Sequence, residues 1–236
     1  MKRFAVFDID GTLVRWQLYH AVVDALGKRE LINPKSYDQL RAARMEWKQR
    51  KHIDSFAKYE KILIEVCEEA LPLIDAHLFD ETVQEVADRY KTQVYSYTRD
   101  LIVKLKEQNY MLLAISGSHT ELVQHIARQY GFDDWTGTVY ARQGQHFTGN
   151  KMIASKNKRL VLDKFIEKYN LPIADSIGVG DSMSDVGFLE VVETPIAFNP
   201  NQSLYQTAKQ RGWKIVIERK NVIYTLEKKD GRYILA

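Results

Sequence analysis

One cysteine, Cys67, among 236 residues excludes an internal disulfide and any cysteine-cluster metal site, and fits a reducing compartment. No run of about eighteen apolar residues occurs, so no membrane partner is expected. No secretory or transit-type segment precedes the first apolar run, Phe4 to Phe7, and a cytoplasmic location is expected. Neither charge dominates: 34 basic against 31 acidic residues leave a formal net charge of +3, and the basic residues form no long block. Nucleic-acid binding is therefore not demanded, and a small anionic partner fits equally well. The six histidines show no metal-ligand spacing and are read as surface or packing residues. Repeats and low-complexity tracts are also lacking. What remains is ordinary globular composition, 45% hydrophobic and 28% charged, enough for one large domain or a core with an inserted subdomain. Nothing in it fixes an oligomeric state.

What is present is concentrated first at residues 4–12. Phe4 to Phe7 are continuously apolar, as in a strand covered on both faces of a parallel sheet, and Asp8-Ile9-Asp10-Gly11-Thr12 follows directly. Strand alternation points residues two apart to one side, so Asp8 and Asp10 can converge on one ligand, while Gly11 lets the backbone turn away. A strand followed by an Asp-Gly turn with solvated acids is the plain alternative. Against it, an Asp-x-Asp-Gly-Thr string arises by chance in only about one chain in several hundred of this length.

Beyond Thr12 the spacing of apolar residues predicts helices over 16–26, 37–49, 55–71 and 79–90, with Asp80 as an amino-terminal cap and no intervening strand. From about Tyr97 helix and strand alternate. Helices are expected over 99–108, 119–130 and 158–169, and strands over 110–115, 176–179, 194–198 and 214–217. Small hairpins are expected over 138–148 and, around Asp230-Gly231, over 222–235. The fold class is therefore α/β, a Rossmann-like parallel sheet flanked by helices with an inserted helical subdomain. The expected division is a core of residues 1–15 and 94–236 and a cap of residues 16–93.

Three apolar strands thus end in small polar clusters: Asp8 to Thr12, Ser116-Gly117-Ser118, and Gly180-Asp181-Ser182-Met183-Ser184-Asp185. A serine hydroxyl and exposed backbone N–H groups suit a phosphate, and Asp181 and Asp185 with Asp8 offer the hard oxygens that suit magnesium. Phosphoryl chemistry also needs a cation against the nonbridging oxygens. Lys158, which opens an amphipathic helix, is the favoured candidate, with Lys156 as the alternative.

In this order the four clusters resemble the haloacid dehalogenase superfamily of phosphohydrolases, and the helical insertion resembles the cap of its phosphoserine-phosphatase-like branch. The resemblance implies a magnesium-dependent phosphomonoesterase working through an aspartyl phosphate. It makes Asp8 the nucleophile, Asp10 the general acid and base, and Ser116, Gly117 and Lys158 phosphate ligands. It assigns magnesium to Asp8, Asp181 and the backbone carbonyl of Asp10, with Asp185 orienting Lys158 or metal-bound water. The chain departs from the branch at Gln17, where an acidic residue would hold the substrate amine, and at Ser118-His119, where a glycine and an aromatic residue are usual.

The chemistry agrees with the resemblance. A carboxylate nucleophile splits hydrolysis into formation and breakdown of an acyl phosphate, and a second carboxyl can protonate the leaving alkoxide. The expected partner is a small phosphorylated metabolite, with phosphoserine a poor substrate. Gln17, Arg41 and Arg44 are candidate specificity residues, set against a plain reading of the Arg41 to Lys51 segment as a solvated helix face with Trp47 packed. A phosphotransferase, and a non-catalytic phosphate-binding module, are the alternatives on the same fold.

Overall fold

Phe4–Phe7 are without solvent exposure and form β1, which pairs in parallel with Met111–His119 (β2) on one side and Ile177–Gly180 (β5) on the other. The computed structural model describes residues 2–52, 54–229 and 231–235. By their internal contacts these residues divide into two compact units, one of residues 1–17, 87–139 and 153–236 and the other of residues 18–86 and 140–152.

The first unit is built on a mixed sheet. Outward from β2 lies Asp134–Gln143 (β3), parallel over 134–138; outward from β5 lie Thr194–Phe198 (β6) and Lys214–Arg219 (β7), also parallel. Val222–Lys229 (β8) and Arg232–Leu235 (β9) continue it antiparallel, and Asp230 of the expected turn lies outside the described residues. Helices Ser96–Glu107 (α5), Thr120–Tyr130 (α6), Lys158–Tyr169 (α7), Val186–Leu189 (α8) and Gln202–Arg211 (α9) make the crossovers between parallel strands. The core joins Phe4, Val6, Leu113 and Ile115 to Leu162, Phe188, Leu189 and Ile215, and burying such side chains contributes about 1.5–3 kcal/mol each. Because β1 has its successors in the chain on both sides, the strand order reverses there. The carboxyl ends of β1, β2 and β5 therefore border the crevice where open α/β sheets bind ligands.

The second unit holds α1 (Leu18–Lys28), α2 (Pro34–Lys48), α3 (Ser55–Ala70), most of α4 (Ala76–Tyr90), and a hairpin made by residues 140–143 and β4 (His146–Met152). The hairpin belongs with these helices for visible reasons. Arg142 makes a two-pronged ion pair with Asp80 at 2.7 and 2.8 Å, and Phe147 meets Phe79 edge-on at 5.1 Å. The Trp47 ring stacks on Tyr59 at 5.3 Å, so this tryptophan is packed within the unit.

Several expectations from spacing need correction. Helix α4 begins at Ala76, where Asp75 accepts from the His77 N–H at 2.8 Å, and Asp80 lies inside the helix. Strand β2 does not stop at Ile115 but runs on through Ser116-Gly117-Ser118 to His119. The segment read as a hairpin from Thr138 begins as a parallel strand, at Asp134, and α9 had no expectation at all. Polar residues in the extended half of β2 and the scarcity of apolar residues in α9 concealed both.

Gly137 shows how tightly the end of β2 is held. A Cβ there would meet the Ser118 carbonyl oxygen at 2.5 Å and the Thr120 backbone at 2.7 and 2.9 Å. Gly137→Ala should cost about 2 kcal/mol of stability, the usual effect of overpacking against backbone, measurable as a lowered urea midpoint; an unchanged midpoint would contradict this packing.

Candidate active site

Each of the three strand ends delivers a carboxylate or hydroxyl to one place. Asp8 follows β1 immediately, and its N–H donates to the Val179 carbonyl at 2.9 Å, which extends the β1–β5 ladder up to the carboxylate. After Asp8 the chain folds back, with Leu13 and Val14 N–H groups on the Ile9 carbonyl and the Gly11 N–H on the Val14 carbonyl. Gly11 has φ +79°, and a Cβ there would lie 2.2 Å from Asp181 Oδ2 and 3.4 Å from Gln17 Nε2. Only glycine permits both that turn and the close approach of Asp181.

Lys158 reaches the site because Asn157 caps α7, its side-chain oxygen accepting from the Leu160 N–H at 3.0 Å, which makes Lys158 the first helical residue. The Lys158 ammonium is buried and lies 2.6 Å from both Asp8 Oδ1 and Asp185 Oδ1. Asp185 is fully engaged, since its Oδ2 accepts from the Asp181 N–H at 3.0 Å, the Ser182 N–H at 2.9 Å and the Ser182 hydroxyl at 3.2 Å. Its carboxylate therefore fastens the loop after β5 and aims the lysine. Lys156, the alternative cation, is exposed, and among the described residues it makes no ion pair with Asp8 or Asp185.

Asp10 is held by β2. Ser116 Oγ donates to Asp10 Oδ2 at 2.6 Å, Ser118 Oγ donates to Asp10 Oδ1 at 3.1 Å, and the Ser118 N–H donates to Ser116 Oγ at 3.0 Å. Gly117, between the serines, packs against Ser155, whose Cβ and Oγ would each lie 3.2 Å from an added Cβ. In the second unit, Arg44 pairs with Asp24 at 3.3 Å, an acid also bonded to Lys28 and Tyr37, while Arg41 is exposed and 3.7 Å from Asp38.

The electrostatics favour a cation. Oxygens of Asp8, Asp181 and Asp185 lie within 4.8 Å of one another, a grouping able to hold a metal ion. Burial, reinforced by Asp185 and Asp10, lifts the Asp8 carboxyl from its ordinary 3.8 to about 7 against the pull of Lys158. Burial, then Asp8 and Asp185, also raise Asp181 well above the carboxylate range. Lys158 stays charged, because Asp185 and Asp8 outweigh the burial that opposes its charge. A hard divalent ion would relieve this crowding, and all-oxygen donors fit magnesium. Since Asp185 is saturated by other donors, Asp8 and Asp181 are the carboxylates with the better claim on it. The Asp10 carboxylate is turned to the two serines, and the acidic grouping does not include it.

Ser118 is the polar group at this site that the spacing of motifs did not single out as functional. Ser116 and Ser118 lie where β2 slips register against β3 between Ile115 and His119, and this irregular stretch, which apolar spacing does not reveal, brings both hydroxyls to Asp10.

Comparison with known proteins places this geometry in context. Phosphoserine phosphatase SerB1 of Mycobacterium tuberculosis (strain ATCC 25618 / H37Rv) is 25% identical over 148 residues, which are 61% of this chain and 46% of that one. The chain spans about half the length of that enzyme and of the putative mycobacterial hydrolases it also matches. Histidinol-phosphatase of Neisseria meningitidis serogroup C (strain 8013) is 24% identical over 234 residues, covering 92% of this chain and 99% of that one. Among solved structures, a phospho-aspartyl intermediate analogue of phosphoserine phosphatase shares the fold with a TM-score of 0.63, at 20% identity, over 92% of this chain and 94% of that one. Residues 5–190, from within β1 to just past α8, match the haloacid dehalogenase-like hydrolases, and the chain belongs to that family.

Proposed function

We propose that the protein is a magnesium-dependent phosphomonoesterase that hydrolyses a small phosphorylated metabolite through an aspartyl phosphate on Asp8. The observation that carries this reading is the pair of carboxylates two residues apart in opposite settings. Asp8 is buried against a lysine, and Asp10 is held by two serine hydroxyls. The names of the relatives, one a phosphoserine phosphatase and one a histidinol-phosphatase, support the class of reaction without agreeing on a substrate.

In the proposed reaction an Asp8 oxygen attacks phosphorus, the bond from phosphorus to the leaving oxygen breaks, and Asp10 gives that oxygen its proton. Asp10 then takes a proton from water as the water attacks phosphorus, and the bond to Asp8 breaks to release phosphate. Ser116, the Gly117 backbone and Lys158 hold the phosphoryl oxygens, and Asp185 keeps Lys158 directed at them. Asp8, Asp181 and the Asp10 carbonyl would hold magnesium, which when bound screens the repulsion between Asp8 and a phosphate dianion. Gln17, a neutral amide beside Gly11, and the exposed Arg41 are proposed to favour an anionic phosphomonoester over phosphoserine. Arg44, tied to Asp24, is the weaker of the two arginine candidates.

The reading is tested by the leaving group. With magnesium the protein should release phosphate from both nitrophenyl phosphate and alkyl phosphates. Asp10→Asn should slow the alkyl esters on the order of a hundredfold more, because only an alkoxide needs the proton. Equal losses on both, or no phosphate release by the unaltered protein, would refute it.

The raised carboxyls give a second test with a definite sign. A carboxyl whose folded pKa lies above its unfolded value stabilises the fold below the unfolded value, and that contribution is lost as pH rises through the folded one. For Asp8 the window runs from 3.8 to about 7. Metal-free protein should therefore melt progressively lower as pH rises across the upper part of that window. Magnesium, which needs the ionised carboxylates, should raise the melting temperature more at about pH 8 than at about pH 5. A magnesium effect that is absent, or larger at the lower pH, would contradict the assignment.

A further inference from the structure

Ser116 is asked to do two things with one proton. In this structure its hydroxyl donates to Asp10 Oδ2 at 2.6 Å, and it already accepts the Ser118 N–H at 3.0 Å. A hydroxyl has a single hydrogen, so when it donates to a phosphoryl oxygen it withdraws from Asp10. Asp10 Oδ1 keeps its own donor, the Ser118 hydroxyl at 3.1 Å. Ser118 is 1% exposed, so its hydroxyl is shielded from water that could compete for it.

We infer that Ser118 is the positioning residue for the Asp10 carboxyl during the reaction, and that the two serines divide the work: Ser116 turns to the phosphoryl group while Ser118 holds Oδ1. The inference rests on the proposed role of Asp10. Its chemical consequence is an assignment of the two oxygens. With Oδ1 kept as the acceptor of the Ser118 hydrogen bond, Oδ2 is the atom that carries the proton to the leaving oxygen and later receives one from water. When Ser116 turns to the phosphoryl group, Oδ2 loses that donor and takes up a proton from solvent, and this is the proton it then gives to the leaving oxygen.

Ser118→Ala tests this, because a merely structural serine would affect every substrate alike. With magnesium, the variant should lose about tenfold in turnover of alkyl phosphates and no more than about twofold on nitrophenyl phosphate, with Michaelis constants little changed. In an Asp10→Asn background the same substitution should cost nothing further, since the group it positions is gone. Ser118→Cys, which keeps the volume but donates weakly, is the second variant should the alanine form fail to fold, and should show the same split. Equal losses on both ester types, or a full additional loss in the Asp10→Asn background, would overturn the inference. If Asp10→Asn shows the leaving-group split and neither Ser118 variant does, only the role of Ser118 falls; if Asp10→Asn shows none, the proposed function falls and this inference with it.

Discussion

A buried ammonium between two carboxylates is the constraint on which the catalytic end of this protein depends. Lys158 has Asp8 from β1 on one side and Asp185 from the loop after β5 on the other, each at 2.6 Å. Removing one member of such an arrangement leaves an uncompensated buried charge, a loss on the order of 3–5 kcal/mol. The three residues are separated by up to 177 positions in the chain, so their meeting requires β1 beside β5 and α7 capped at the right residue. The same arrangement leaves the site short of positive charge. One lysine does not neutralise Asp8, Asp181 and Asp185, and burial, with the neighbouring carboxylates adding to it, raises Asp8 and Asp181. Demand for a cation is thus a product of the fold as much as of the motif.

The sheet order turns separate motifs into one site. β1 is flanked by β2 and β5, and each strand ends in a polar cluster at the same edge. Glycine sets the local distances. Gly11 admits the Asp181 carboxylate, and a Cβ at Gly180 would lie 2.5 Å from that of Asp185, so the loop after β5 can close onto its own strand only without one. These close approaches hold the acids at separations that their charges oppose.

Much of this was legible in the sequence, and the boundary of legibility is physical. The three strand-end clusters could be read because strand ends in α/β folds collect functional residues and because Asp8-Ile9-Asp10-Gly11-Thr12 follows an unbroken apolar run. Lys158 over Lys156 was legible as the helix start, and the Asn157 cap is the reason. The extension of β2 was not, because Ser116 to His119 carry no apolar signal; pairing with β3 lapses after Ile115 and resumes at His119, opposite Thr138, with a register shift between. With that extension hidden, the meeting of the Ser116 and Ser118 hydroxyls at Asp10 was hidden too. The hairpin residues 140–152 could not be assigned to the helical unit from spacing, since the ties are long-range contacts such as Arg142 with Asp80. Spacing along a chain reports periodicity, and it is silent on partners sixty residues away.

The central claim is that Asp8 takes the phosphoryl group. Its most direct test is to mix the protein with magnesium and an excess of a reactive phosphomonoester, quench in acid during turnover, and map the protein by peptide mass spectrometry. The account predicts one added phosphoryl mass on the peptide containing Asp8, absent when the quench follows exhaustion of substrate. A phosphoryl group found on another residue, or steady turnover with none trapped on Asp8 and undiminished activity in Asp8→Asn, would contradict it.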